Sequence, residues 1–404
     1  MDSRVSCTMI RDSVSFPGTT QLPPSLPTTL TPLSNTVRPI IILASNEVTD
    51  ASLFVNGLTQ NIVILYHLFE SLGYQSYLLQ HSLSHAEKKA FLHGYRNLSS
   101  QDIVKQNMSI HLVIEIGMSL DSLSRGYLRS HGCHIAKLYL GNILNIDIET
   151  IQNYSNMFFN HHIVGEIDEI WTSPHYSQHL EYAAVLNRVP LDKGRIVPYV
   201  WDSCFLDHYG AREDMEWRPC SWLTQDIVIV DPNISFQKCS FYSLLLIEAF
   251  SRKHPEWRGT VHVVNGDRLK LSSNAQNHLL SAVSLYAAGR VMLYERKKIH
   301  DIIKVHRSAC FIAHQWNNDY NYMTLELMHC GYPILHNSVG WKDHGYYYSI
   351  DEWDKALETL YLALRHHERN RFVYATHTAQ LAWKHSVHNP SIQEAWRAIL
   401  QKSV

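Results

Sequence analysis

Several features that mark simpler protein classes are missing from this sequence. The seven cysteines (Cys7, Cys133, Cys204, Cys220, Cys239, Cys310 and Cys330) are odd in number and scattered, with no Cys-x-x-Cys. That speaks against a disulfide framework or a zinc ribbon and fits a reducing compartment. No run of about 18 apolar residues occurs, so no membrane-spanning helix is expected. The N-terminal segment has no apolar h-region of a secretory signal, and a cytoplasmic location is the expectation. The formal net charge is −2, so no global positive field draws the protein to nucleic acid or to an anionic membrane. Arg296, Lys297 and Lys298 form only a local basic cluster. The 26 histidines lack the flanking ligands of a known metal motif, and each by itself reads as a surface or packing residue.

What is present describes a two-domain α/β protein with a tail. Hydrophobic content is 45% and charged content 18%, ordinary for a globular chain. At roughly 100–200 residues per domain, 404 residues suggest two domains. Residues 1–36 are rich in Ser, Thr and Pro and read as a disordered tail, because they cannot bury a core. Order begins at RPIIILAS (38–45), a buried parallel strand by its apolar run. A loop ending near Gly57 and a helix over 61–73 follow. Further strands are expected at 74–80, 111–117, 134–142, 166–174 and 195–202. Polar residues 203–221 read as a linker. A second series starts at DIVIVDPN (226–233) and continues with strands at 259–267, 290–296, 310–315 and 333–338. Strands alternating with helices in this way predict parallel sheets covered on both faces. The expected domains are 37–215, 216–375 and a helical segment, 376–404, crossing back to the first. Two doubly wound units place a ligand cleft between the carboxyl ends of their strands.

The stretch NNDYNYMTLELMHCGYPILHNSVG (317–340) runs polar, then amphipathic, then Gly-Tyr-Pro, then apolar. It sets Glu326 inside an otherwise buried-looking helix. The succession strand, helix, strand, polar loop, helix, Gly-x-Pro, strand over 290–340 resembles the donor-binding half of GT-B glycosyltransferases. The resemblance is to the retaining class with two glutamates eight residues apart (E-x7-E). Asn318 falls at the first glutamate and Glu326 at the second. A DUF2827-like bacterial and phage group of the same fold is closer still. It shares FVNGLTQN (54–61), PNISFQK (232–238) and GYPILHNS (331–338), with GYYY at 345–348.

The resemblance implies a GT-B fold, with two Rossmann-like domains facing across a cleft. It implies transfer of a sugar from a nucleotide-diphosphate donor, UDP by family frequency, to a hydroxyl acceptor of unknown kind (glycan, protein, small molecule or DNA). The helix N-terminus at Tyr322 and Met323 would take phosphate. Glu326 would accept the ribose hydroxyls, and Lys238 would add charge to the leaving diphosphate. Asn233, where the class often has Arg, and Arg296 would lie nearby. Gly57 would let the backbone approach the diphosphate. Asn318 can donate as well as accept, so a sugar contact there survives in altered form. His161 is placed near a sugar-contacting histidine of some relatives, and Glu115 ends the third strand on the cleft side. Retention without a protein nucleophile is implied. No Asp-x-Asp occurs, so neither a metal nor another cofactor is expected.

Each residue also has a plainer role that the sequence leaves open. Glu326 can also be read as a solvated helix residue, Lys238 as a surface lysine, Gly57 as turn chemistry and Asn318 as a helix cap. His161 and Glu115 read as packing residues. Two other functions stay open as well: a phage-type enzyme that glycosylates a DNA base, and a non-catalytic nucleotide-sugar-binding protein.

Overall fold

The computed structural model describes residues 38–403 apart from 46–47, 49–51, 54–56, 80–93, 118, 154–161 and 210–211. The first sheet contains β1 (Ile40–Ala44), β2 (Gln75–Leu79), β3 (Asn97–Leu98), β4 (Ile110–Glu115), β5 (His134–Tyr139), β6 (Glu169–Thr172) and β7 (Gly194–Ile196). Their spatial order is β3-β2-β1-β4-β5-β6-β7, and every pair is parallel. The second sheet contains β8 (Ile227–Ile229), β9 (Val261–Val263), β10 (Val291–Leu293), β11 (Cys310–Ala313), β12 (Ile334–His336) and β13 (Tyr346–Tyr347). Its order is β10-β9-β8-β11-β12-β13, again parallel throughout.

Strand composition follows from burial on both faces. In β1, Ile41 and Leu43 enter one apolar core and Ile42 and Ala44 the opposite one. In β8, Val228 shares the core of Ile41, while Ile227 and Ile229 face a separate core with Phe250 and Trp257. One continuous core thus joins the two sheets. The helix Trp353–His385 packs along the second sheet. The helix Pro390–Lys402 returns to the first: Trp396 sits edge-on to Phe69 and Trp171, at 5.4 and 5.8 Å. Ser403 Oγ donates to Glu169 at 2.8 Å. Among the described residues no helix is long and apolar enough to cross a membrane.

Three local readings are corrected. The sixth expected strand stops at Ile196, because Pro198 has no N–H to continue a ladder; Trp201 N instead donates to His385 O. Residues 203–221 are not a bare linker. They form helices Cys204–Tyr209 and Arg212–Met215 and bury Phe205, Leu206, Met215 and Trp217. The first helix begins at Gly57, four residues before its expected start at Asn61.

Candidate active site

In each sheet the strand order reverses direction once, between β1 and β4 and between β8 and β11. Loops leave such a reversal on opposite sides and open a crevice at the carboxyl ends of the strands. A cleft of about 400 Å³ lies at both crevices. The first half lines it with Gly57 and Asn61 after β1, Ser119 after β4, Lys137 from β5, and His175 and Tyr176 after β6. The second half supplies Lys238, from the loop after β8, and Asn318 to Tyr322, from the loop after β11.

The loop after β11 is held from the first half at successive points. Asn142 Nδ2 donates to Asn317 O at 2.6 Å. The Tyr176 hydroxyl donates to Asn318 Oδ1 at 2.6 Å, and the Tyr199 hydroxyl to Tyr320 O at 2.9 Å. The Tyr322 hydroxyl returns a bond to Val200 O at 2.6 Å. Asn317 and Tyr320 have φ of 47° and 60°, left-handed values that cost a non-glycine residue about 1–3 kcal/mol. Stacking of Tyr320 on Trp341, with centroids 4.9 Å apart and planes 9° apart, helps hold that conformation. The loop following β8 also reaches across, where Phe236 N donates to Glu149 Oε1 at 2.8 Å.

A polar chain runs inward from this latch. Asn318 Nδ2 donates to Gln315 Oε1, and Gln315 Nε2 to Asp231 Oδ1, each at 2.7 Å. The His314 amide donates to Asp231 Oδ2 at 3.0 Å. Burial pushes the Asp231 carboxyl up to about 8, against these hydrogen bonds and the nearby Lys238. Burial likewise lowers Lys238, with Asp231 opposing and Arg296 adding to the shift. The backbone of Lys238 bonds Ser235 and Asn233 within its loop, but its ammonium has no hydrogen bond or ion pair among the described residues and is available to an anion in the cleft.

A second lysine faces the same space. Lys137 Nζ donates to Ser119 Oγ at 3.0 Å and lies 3.6 Å from Glu115 Oε2. Burial lowers its pKa, and Glu115 opposes the shift. Glu115 is fully buried beneath it and accepts from Arg125 at 3.1 Å and from the Leu120 amide at 3.2 Å. His175 packs against Tyr176 and Tyr320, with centroids 4.0 and 4.5 Å away. Burial pushes its pKa down to about 3, so the ring is neutral at physiological pH. Its Nδ1 has no hydrogen-bond partner among the described residues.

Of the residues singled out from sequence, the structure gathers Gly57, Lys238, Asn318 and Tyr322 at the cleft. A Cβ on Gly57 would stand 2.6 Å from Tyr322 Cδ2. Gly57 therefore also packs closely against a tyrosine ring. The Met323 amide is occupied by its cap, Asn321 Oδ1, at 3.0 Å. Glu326 is buried behind Tyr322, outside the cleft lining, and accepts from Gln60 at 2.8 Å. Burial lifts its pKa to about 7, against the Gln60 bond. Asn233 builds the loop after β8: with φ of 52° it accepts from Ser240 N and Oγ. Arg296 is exposed and is not brought to the lining. Glu115 is engaged below the cleft as described, and His161 lies outside the described residues.

Lys137, His175 and Tyr176 escaped the sequence reading. Their signals were present. A lysine inside the apolar strand HIAKLYL is a buried charge in need of a reason. His175 and Tyr176 follow a strand directly, at its carboxyl end.

No curated protein matches the chain in sequence. Solved structures do match in fold. A glycosyltransferase from Rickettsia africae ESF-5 has a TM-score of 0.55 at 10% identity, covering 91% of this chain and 98% of its own. Anabaena Alr3699/HepE in complex with UDP-glucose gives 0.56 at 10%, covering 89% and 99%. A trehalose-6-phosphate synthase, studied for glycosyltransfer with retention, gives 0.56 at 12%, covering 90% and 99%. The fold is GT-B. Residues 41–400 match the family model described as "Protein of unknown function (DUF2827)", and the chain belongs to that family.

Proposed function

We propose that the protein is a nucleotide-sugar-dependent glycosyltransferase. It moves a hexosyl group from a UDP-sugar to an acceptor hydroxyl, with retention and without a catalytic metal. One observation carries the reading: a single cleft spans the crevices of both sheets and receives a lysine from each, Lys137 and Lys238. Two ammonium groups over one crevice suit a diphosphate. The similar folds support this donor class, since HepE is described with UDP-glucose. They also support the stereochemistry, since the trehalose-6-phosphate synthase is described as retaining.

In this reading the bond between the anomeric carbon and the diphosphate oxygen breaks, and its electron pair goes to the phosphate. Lys238 stabilises that charge as it develops. The acceptor oxygen bonds the anomeric carbon from the same face, and its proton passes to the departing phosphate. Asp319, the carboxylate in the described lining, accepts the Val339 amide at 3.1 Å, and burial raises its pKa. His175 is neutral. Neither group is arranged as a free nucleophile, so positioning and electrostatics supply the catalysis.

The test is a thermal-shift screen of UDP, GDP, ADP, CMP and their sugars, with and without Mg²⁺, on wild type and Lys238→Met. A ligand at about 100 times its Kd adds roughly 2.7 kcal/mol of apparent stability. A shift selective for uridine, weakened in the variant and indifferent to Mg²⁺, is expected. No shift with any nucleotide sinks the proposal. A second reading, binding without transfer, is favoured by one observation: Asn318 stands at the first glutamate position and its Oδ1 is taken by Tyr176. UDP-sugar binding with neither transfer nor hydrolysis would select it.

A further inference from the structure

At the end of the second sheet away from the cleft, Asp226 precedes β8, His262 lies within β9 and His306 follows the helix Ile299–Val305. One ligand atom from each lies within 4.8 Å of the others. Asp226 Oδ2 stands 3.2 Å from His262 Nε2, close to the roughly 3.4 Å between ligand atoms on a tetrahedral zinc ion with bonds of about 2.1 Å. His306 is half-buried and packs against His262, with ring centroids 4.3 Å apart.

The surroundings are those of a metal site. His262 Nδ1 is 3.0 Å from the Tyr294 hydroxyl, which can hold the ring in the tautomer that leaves a lone pair on Nε2. Asp226 Oδ1 accepts the Thr260 amide at 2.8 Å, which orients the carboxylate. His262 Nε2 is buried, and Asp226 Oδ2, at 3.2 Å, is its polar neighbour among the described residues. With Nδ1 carrying the proton, a nitrogen lone pair and a carboxylate face each other with nothing between them. A cation resolves that repulsion.

We propose that Asp226, His262 and His306 bind a divalent transition-metal ion of the zinc class. Two imidazoles and one carboxylate suit zinc and leave a position for water. The cleft residues follow β8 and β11, whereas Asp226 and His306 precede them. The ion therefore lies away from the proposed reaction and ties the amino ends of β8 and β9 to the helix Ile299–Val305. The site is independent of the glycosyltransferase reading.

The experiment is equilibrium dialysis of the metal-stripped full chain against Zn²⁺, with Co²⁺ absorption as a second probe. Uptake of one ion per chain is expected, with d–d bands of a four-coordinate nitrogen and oxygen site. His306→Ala and Asp226→Asn should each weaken binding by at least about tenfold. The exposed-residue control His278→Ala should bind as wild type does. His306 is half-buried, so its truncation spares the core even if His262→Ala fails to fold. Absence of stoichiometric uptake by the wild type, or uptake that His306→Ala leaves unchanged, overturns the proposal. The second result would leave His262 and Asp226 as a proton-bridged pair.

Discussion

Tyr176 and Asn318 are 142 positions apart, one in each half of the chain, and the Tyr176 hydroxyl donates to Asn318 Oδ1 at 2.6 Å. Both are buried, and Asn318 passes the contact on through Gln315 to Asp231. The halves are therefore joined by a polar chain beside the cleft as well as by the shared core. Tyr176→Phe leaves a buried amide oxygen without its donor, which costs about 1–3 kcal/mol. Urea unfolding of the variant should show that loss with an unchanged m-value. A variant as stable as wild type would mean that water replaces the bond.

Gly57→Ala is expected to destabilise by about 1–3 kcal/mol through overpacking against Tyr322. The cause is steric, so it should vanish when the ring is absent. A double-mutant cycle with Tyr322→Ala checks this, with an expected coupling of at least about 1 kcal/mol. Strict additivity would place the strain elsewhere.

Lys238→Met should lower kcat for sugar transfer by about 10²–10³ and change KM less, because the charge acts on the leaving group. An unaltered kcat with a raised KM would reassign Lys238 to ground-state binding.

The Glu326 carboxyl has a folded pKa of about 7 against an ordinary 4.5. Between those values the folded state keeps a proton that the unfolded state has released. Its contribution to stability therefore falls as pH rises through the window and stays low above it. Glu326→Gln keeps the shape and removes the charge. Its stability relative to wild type should be greater at about pH 8 than at about pH 5, by about 1–3 kcal/mol. Parallel pH profiles would show that Glu326 ionises freely in the fold.

Much of the architecture was legible because it rests on local pattern. Runs such as IIILA and CFIA must be buried on both faces, and their alternation with helices leaves little but parallel sheets. The Gly-Tyr-Pro break after Glu326 marked the end of a helix for the same local reason. Lys238 and Asn318 were singled out through the resemblance, by the PNISFQK loop and the first-glutamate position, and both lie in loops that follow strands ending at the crevice.

What the sequence by itself determined is therefore the two sheets, their order of secondary elements and the crevice that they must form. Tertiary structure alone decided which polar groups face that crevice. Glu326 and Gln60 are 266 positions apart, yet they pair in a buried place. Glu115 is committed to Arg125 and Lys137, and Lys137 reaches the cleft. Those outcomes depend on which distant partner satisfies each buried charge. The energetic demand to pair a buried polar group is strong, but nothing in local sequence names the partner.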